Sequence, residues 1–255
     1  MNAARWAPAD YADAAGREID AMAAIVRSAD LEARVPTCPE WNVAQLVQHT
    51  GTIHRWAAQM VRERAPERLD RREMDLGIPE DPSGLADWLA AGAPLLRSAL
   101  AATDPDTPMW AWGADQHARF WSRRMLHETA VHRVDAQLAA GAEPTVDGAV
   151  AADGIDELLE NLPCAAYFRP RVAELRGAGE TIALRSTDRD ERWRIRLGPE
   201  GFACERGPGD ATVEVAARTE DLLLVMYTRR SRTDPRLAIS GDERVFADWL
   251  ERAEL

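Results

Sequence analysis

The sequence predicts a two-domain α+β protein. An up-down four-helix bundle covers residues 1–148, and a small α+β domain covers residues 149–255. Three observations carry this. Before Gly141, apolar residues recur at helical spacing in four long stretches joined by short or polar connections. From Thr181 they alternate at strand spacing between Gly- and Pro-containing turns. Between the two patterns, near Asp147-Gly148, the texture of the chain changes, which places the domain boundary there.

The first helix is expected over Asp10 to Ser28, with Tyr11, Ala15, Ile19, Met22, Ile25 and Val26 on one stripe. Val35-Pro36-Thr37-Cys38-Pro39-Glu40-Trp41 reads as a connector, because two prolines so close together stop a helix. Asn42 is an N-cap signal for a second helix, Val43 to about Arg64, with Val43, Leu46, Val47, Ile53, Ala57 and Met60 turned inward. A charged loop broken by Pro66, Gly77, Pro79 and Pro82 follows. Ser83 is then expected to cap a third helix, Gly84 to Ala102, and a fourth is expected within Asp115 to Ala140, which contains neither Gly nor Pro.

A further helix, Ala149 to Leu162, is stopped by Pro163. Strands are expected at Thr181 to Arg185, Arg192 to Leu197, Gly201 to Glu205 and Thr212 to Ala216, arranged as a meander. Thr219 is read as the cap of a helix from Glu220 to Tyr227. A short strand at Leu237 to Ile239 and a last helix, Glu243 to Arg252, opened by Asp242, complete the α+β pattern.

Composition narrows the partners. The net charge of −12 argues against nucleic acid or an anionic membrane, since both call for clustered cations. No apolar run is long enough to span a bilayer, and Met1 to Asp10 lack a signal-peptide core, so a cytoplasmic location is expected. Cys38, Cys164 and Cys204 are widely spaced and form no disulfide framework. All 31 basic residues are arginine, which excludes Schiff-base chemistry, a pyridoxal phosphate anchor and a P-loop lysine. The Arg and Ala bias points to a high-GC, actinobacterial host; deliberate removal of lysine would leave the same absence.

Chemistry is expected at Met125 to Asp135. Glu128 and His132 lie four residues apart and so share a helix face. Glu128 also shares that face with Trp121 and Met125, and a buried carboxylate needs a partner or a metal. Among the other histidines, His117 would be about 16 Å down the axis, and His127 is rotated about 100° away. His49 and His54 on the second helix diverge by about 140°, so only one can complete the set. His49, at the margin of the apolar stripe beside Ile53 and Trp56, is the expected third ligand, and His54 is expected at a boundary. Two imidazoles and a carboxylate suit a divalent ion such as Zn²⁺, with a position left for water or substrate.

Three stretches resemble one family. They are Val35 to Trp41 followed by Leu46-Val47-Gln48-His49, the helix from Arg124 to Asp135 with its His-Glu-Thr-Ala-Val-His core, and Ala152-Asp153-Gly154-Ile155-Asp156-Glu157-Leu158. In this order and spacing the chain resembles the mycothiol-dependent maleylpyruvate isomerase family, a branch of the DinB-like bundles, whose members also carry a small C-terminal α+β domain. Thr50 departs from the leucine usual in that family after the first histidine. The resemblance implies His49, Glu128 and His132 as metal ligands and a Zn²⁺ that binds the thiol of mycothiol as thiolate. That thiolate would attack a small electrophile, and either cis–trans isomerisation or S-transfer would follow. It also implies that Arg229 or Arg230, expected as catalytic and cofactor-binding residues, holds a substrate or cofactor carboxylate in a bidentate contact. Two other readings stay open: a non-catalytic metal- or ligand-binding protein of the same fold, and a thiol-independent, metal-assisted hydrolase.

Overall fold

The computed structural model describes residues 6–253, and their contacts divide into two compact units, 6–145 and 146–253. Among the described residues no helix is long and apolar enough to cross a membrane.

The first unit is helical. Helix α1, Pro8–Val26, opens with proline in its first turn, where a missing N–H costs nothing. A small hairpin follows, β1 Arg34–Val35 paired antiparallel with β2 Cys38–Asn42. Helix α2, Val43–Glu63, starts with a complete capping box: the Asn42 side chain accepts from the Gln45 N–H, and the Gln45 side chain accepts from the Asn42 N–H. Arg64 closes α2 in the left-handed conformation, at φ 50°.

Helices α3, Leu85–Ala90, and α4, Gly92–Ala101, stand where one helix was expected. The break falls at Ala91, because Pro94 has no N–H to give to the carbonyl of Ala90. Asp81, not Ser83, caps this segment, its carboxylate accepting from the Ser83 N–H of a short 3-10 turn. Helix α5, Ala118–Ala139, packs on α1 and α2, and α4 also packs on both. Where α2 meets α3, Gly51 lies under the Trp88 ring, which leaves no room for a Cβ.

The hairpin at 34–42 corrects the expectation of an irregular connector. Pro36 falls in its turn, and Pro39 sits in β2 next to a register shift, where the ladder does not need its missing N–H. Helix α5 is buried almost all round. It keeps Arg123, Arg124, His127, His132, Arg133 and Asp135 out of solvent together with Trp121, Met125 and Leu126. An all-buried helix rich in ionisable groups must satisfy them locally, and that concentrates polar chemistry on α5.

In the second unit, α6, Gly148–Asn161, is capped by Asp147 and passes at Leu162-Pro163 into 3-10 turns. The sheet comprises β3 Thr181–Ser186, β4 Arg192–Gly198, β5 Gly201–Arg206, β6 Val213–Ala217 and β7 Ala238–Gly241, in the order β5-β4-β3-β6-β7. It is not a simple meander. Strands β3, β4 and β5 follow one another antiparallel, but β6 returns to the far side of β3 and runs parallel to it. Trp193, Ile195 and Leu197 alternate inward along β4, as their period of two predicts. Helix α7, Thr219–Met226, packs on β3, β6 and α6, and α8, Glu243–Arg252, packs on β6. Thr219 lies inside α7 rather than at its cap. Its hydroxyl is bonded to Asp188, which also accepts from the Thr219 N–H.

Candidate metal centre

Helix α2 carries His49 about two turns beyond the Asn42 cap, and α5 carries Glu128 and His132 one turn apart. The two helices pack side by side, and three side-chain atoms converge. His49 Nε2 is 3.3 Å from Glu128 Oε1, and His132 Nε2 is 3.4 Å from the same oxygen. All three ligand atoms lie within 4.8 Å of one another.

These separations can be set against two kinds of cluster. A charge-assisted hydrogen bond brings N and O to about 2.8 Å. Two ligands held tetrahedrally at about 2.05 Å from one Zn²⁺ stand about 3.3 Å apart. The two His–Glu pairs have the second spacing, and three such donors can hold a divalent ion with at least one coordination position left over. Glu128 and His49 remain partly exposed, with side-chain accessibilities of 22% and 30%, so that position can be reached from solvent.

The surroundings hold these side chains in place. The Trp41 ring lies 4.6 Å from that of His49 and 6.1 Å from that of His132, centroid to centroid. Arg124, one turn before Glu128, reaches its other oxygen, Oε2, at 3.3 Å and lies 5.7 Å above the Trp112 ring. His132 Nδ1 is 2.9 Å from Asp135 Oδ2. Burial alone would raise the Glu128 carboxyl, but hydrogen bonds from His132 and His49, with the charges of His132 and Arg124, hold it well below the usual carboxylate range. Burial alone would lower His132, but Asp135 and Glu128 together hold it up to about 9.

The remaining histidines are elsewhere. His54, expected at a boundary, is fully buried, with Nε2 2.8 Å from Thr129 Oγ1, and burial pushes it down to about 3. Thr129 Oγ1 gives its proton to the Met125 carbonyl, so it accepts from Nε2–H, and His54 is a neutral structural group. His117 precedes α5 instead of belonging to it and is bonded to Asp115. His127 is buried on α5, outside the converging set.

Arg229 and Arg230 lie in the second unit, just after α7. Arg230 is buried in two ion pairs, Nε to Asp221 Oδ1 at 2.9 Å and Nη1 to Asp234 Oδ2 at 3.0 Å, which tie α7 to the following loop. Arg229 is half-buried, and its Nη1 donates to the Tyr227 carbonyl at 2.8 Å. Thr228 between α7 and this pair has φ 60°, a strained value for a β-branched residue. Sequence reasoning missed Trp41, Arg124 and Asp135 as neighbours of the centre. Arg124 and Asp135 had a readable signal, since each stands three or four residues from a proposed ligand on one helix.

Comparison with known proteins agrees with this architecture. The family model for the mycothiol maleylpyruvate isomerase N-terminal domain matches residues 12–137, and that for the corresponding C-terminal domain matches residues 149–248. Among solved structures, the mycothiol-dependent maleylpyruvate isomerase is similar at 15% identity, over 92% of this chain and 93% of that one, with a TM-score of 0.59. A histidine-to-alanine mutant of that enzyme is similar at 14% identity, with the same coverage and TM-score. A search of curated proteins finds no match. With its helical unit and its sheet unit each matched in the expected order, the chain belongs to the mycothiol maleylpyruvate isomerase family.

Proposed function

We propose that this chain is a metal-dependent enzyme that uses the thiol of mycothiol on a small electrophilic substrate, as a cis–trans isomerase or an S-transferase. The observation that carries the reading is the convergence of His49, Glu128 and His132 at metal-ligand spacing, in a member of a family named for that thiol. Zn²⁺ is the divalent ion that best suits two imidazoles and a carboxylate. When bound there, it would stabilise thiolate over thiol and so supply a nucleophile near neutral pH.

The chain's own groups have defined tasks. His49, Glu128 and His132 hold the ion. Arg124 engages Glu128 Oε2, which leaves Oε1 for the ion and keeps the carboxylate from taking a second coordination position. Trp41 covers the ring of His49 and limits water on that side. Of the two arginines, Arg230 spends its guanidinium on Asp221 and Asp234. We assign a substrate or cofactor carboxylate to Arg229, which would trade its bond to the Tyr227 carbonyl for a bidentate contact.

Metal analysis and thiol-dependent assays test the proposal together. About one Zn²⁺ per chain, turnover of an activated electrophile such as a cis-enone acid only with added mycothiol, and loss of both in His132→Ala are expected. No stoichiometric metal would overturn it. Turnover undiminished without thiol would point to a hydrolase, and metal without turnover across a panel of electrophiles to a binding protein.

A further inference from the structure

The three converging side chains differ in what stands behind them. Behind His132 is Asp135, one turn further along α5 and fully buried. Its Oδ2 faces His132 Nδ1 at 2.9 Å, and its Oδ1 accepts from the Thr37 hydroxyl at 2.5 Å. The Cys38 thiol points at Oδ2 from 3.7 Å. Both of the latter groups belong to the β1–β2 hairpin, Thr37 in its turn and Cys38 at the start of β2. The same strand ends near Trp41, whose ring lies against both histidines. One short hairpin thus touches the centre twice, through a carboxylate at one end and through an indole at the other.

A buried carboxylate is costly unless its lone pairs are used. Here they are used by an imidazole N–H, a hydroxyl and a thiol. What the arrangement fixes is the imidazole. With Nδ1 committed as a donor to Asp135, the Nε2 edge is the one turned to Glu128 Oε1, and the ring cannot swing or flip without breaking that bond. A histidine whose far nitrogen donates to a carboxylate is a more basic and better oriented metal ligand.

We infer that Asp135, held by Thr37 and Cys38 of the hairpin, is a positioning residue that fixes the ring of His132 for metal binding through Nε2. The inference rests on the metal reading of His49, Glu128 and His132. It explains why Pro36-Thr37-Cys38-Pro39 forms an ordered hairpin although it lies outside the bundle helices: the hairpin supplies the second support for the Asp135 carboxylate.

The test uses the full chain and two metals. Zn²⁺ affinity is read by competition with a chromophoric chelator, and the ligand field by the visible spectrum of the Co²⁺-loaded protein, for wild type, Asp135→Asn, Asp135→Ala, Thr37→Val and His132→Ala. Thermal midpoints of the metal-free proteins report folding. Asp135→Asn keeps an acceptor for Nδ1–H but loses the charge. It is expected to weaken Zn²⁺ binding roughly 10-fold, Asp135→Ala roughly 100-fold, and Thr37→Val only a few-fold. A shifted Co²⁺ spectrum should accompany each loss while the metal-free midpoint of Asp135→Asn stays near that of wild type. Should Asp135→Ala fail to fold, Asp135→Asn and Thr37→Val carry the test. Wild-type affinity and an unchanged Co²⁺ spectrum in Asp135→Asn and Thr37→Val, with metal lost in His132→Ala, would overturn the positioning role alone. A wild type that binds no metal would remove the metal reading, and the role with it.

Discussion

Glu128 on α5 and Asp156 on α6 are both helix carboxylates set among nitrogen donors, one in each unit, and they are satisfied in different ways. Asp156 is closed. Its Oδ1 accepts from Trp193 Nε1 at 2.8 Å and from Arg206 Nε at 2.9 Å, its Oδ2 pairs with Arg206 Nη2, and Arg206 goes on to Glu191. Only 5% of its side chain meets solvent. Glu128 is open, with 3.3 and 3.4 Å to two imidazoles, 3.3 Å to Arg124 and four times the exposure. A cluster built only for stability draws its members to hydrogen-bond length and shuts water out. The longer separations and the accessible side of the Glu128 cluster are what our metal proposal rests on.

The comparison is broken most directly at His132. His132→Ala removes one of three ligands, and Zn²⁺ affinity is expected to fall by roughly three orders of magnitude, read by chelator competition. Folding of the metal-free chain should change little by comparison. If the variant retains metal as tightly as wild type, the two carboxylate clusters are alike and neither is a site. Asp156→Ala should give the converse result. It leaves Trp193 Nε1 without its acceptor and Arg206 with Glu191 alone, and is expected to lower the stability of the second unit by about 2 kcal/mol, while zinc stoichiometry is unchanged. Urea denaturation and metal analysis of the same sample separate the two effects.

Much of this contrast could be read from the chain itself, though unevenly. Glu128 and His132 are one turn apart on a stretch without Gly or Pro, and that spacing suffices to put them together. Helix angles allowed only one of His49 and His54, and His49 was chosen from its place at the margin of the apolar stripe; the surroundings assigned to the two α2 histidines were nevertheless reversed. His54 is the fully buried one, because it faces Thr129 on α5 and Gly92 on α4, contacts between helices that no local pattern contains. His49 stays half-open. The hairpin was hidden for a related reason. Pro36 and Pro39 signal a broken chain locally, whereas the contacts that order it, Thr37 and Cys38 to Asp135, span almost a hundred residues. In the second unit the period of two located β3, β4, β5 and β6, but the return of β6 to the side of β3 pairs residues far apart in the chain and left no mark on the strand itself.

His54 gives a pH-dependent way to sharpen the comparison. Its folded-state value is lowered from 6.5 to about 3, so below pH 6.5 the unfolded chain takes up a proton that the folded chain refuses. Its contribution is therefore complete above pH 6.5 and is lost as the pH falls toward 3. Between pH 7.5 and pH 5 this amounts to about 2 kcal/mol. His54→Gln, which can still donate to Thr129 Oγ1, should lack that part of the acid sensitivity. Urea midpoints at the two pH values check it, and equal acid losses in variant and wild type would place the sensitivity elsewhere.

The smallest expected effect lies at the entrance to α2. Asn42→Ala removes the side-chain acceptor of the Gln45 N–H and should cost about 1 kcal/mol, which for a chain of this size lowers the thermal midpoint by about 3 °C. The cap stands between Trp41, which covers His49, and the helix that carries His49 itself, so the same substitution asks how far fraying reaches. His49 is about two turns inside α2, beyond the first turn that a lost cap loosens. Zinc affinity should then stay within about two-fold of wild type while stability drops. A parallel loss of affinity and stability would mean that the cap, through Trp41, holds the ligand as well as the helix.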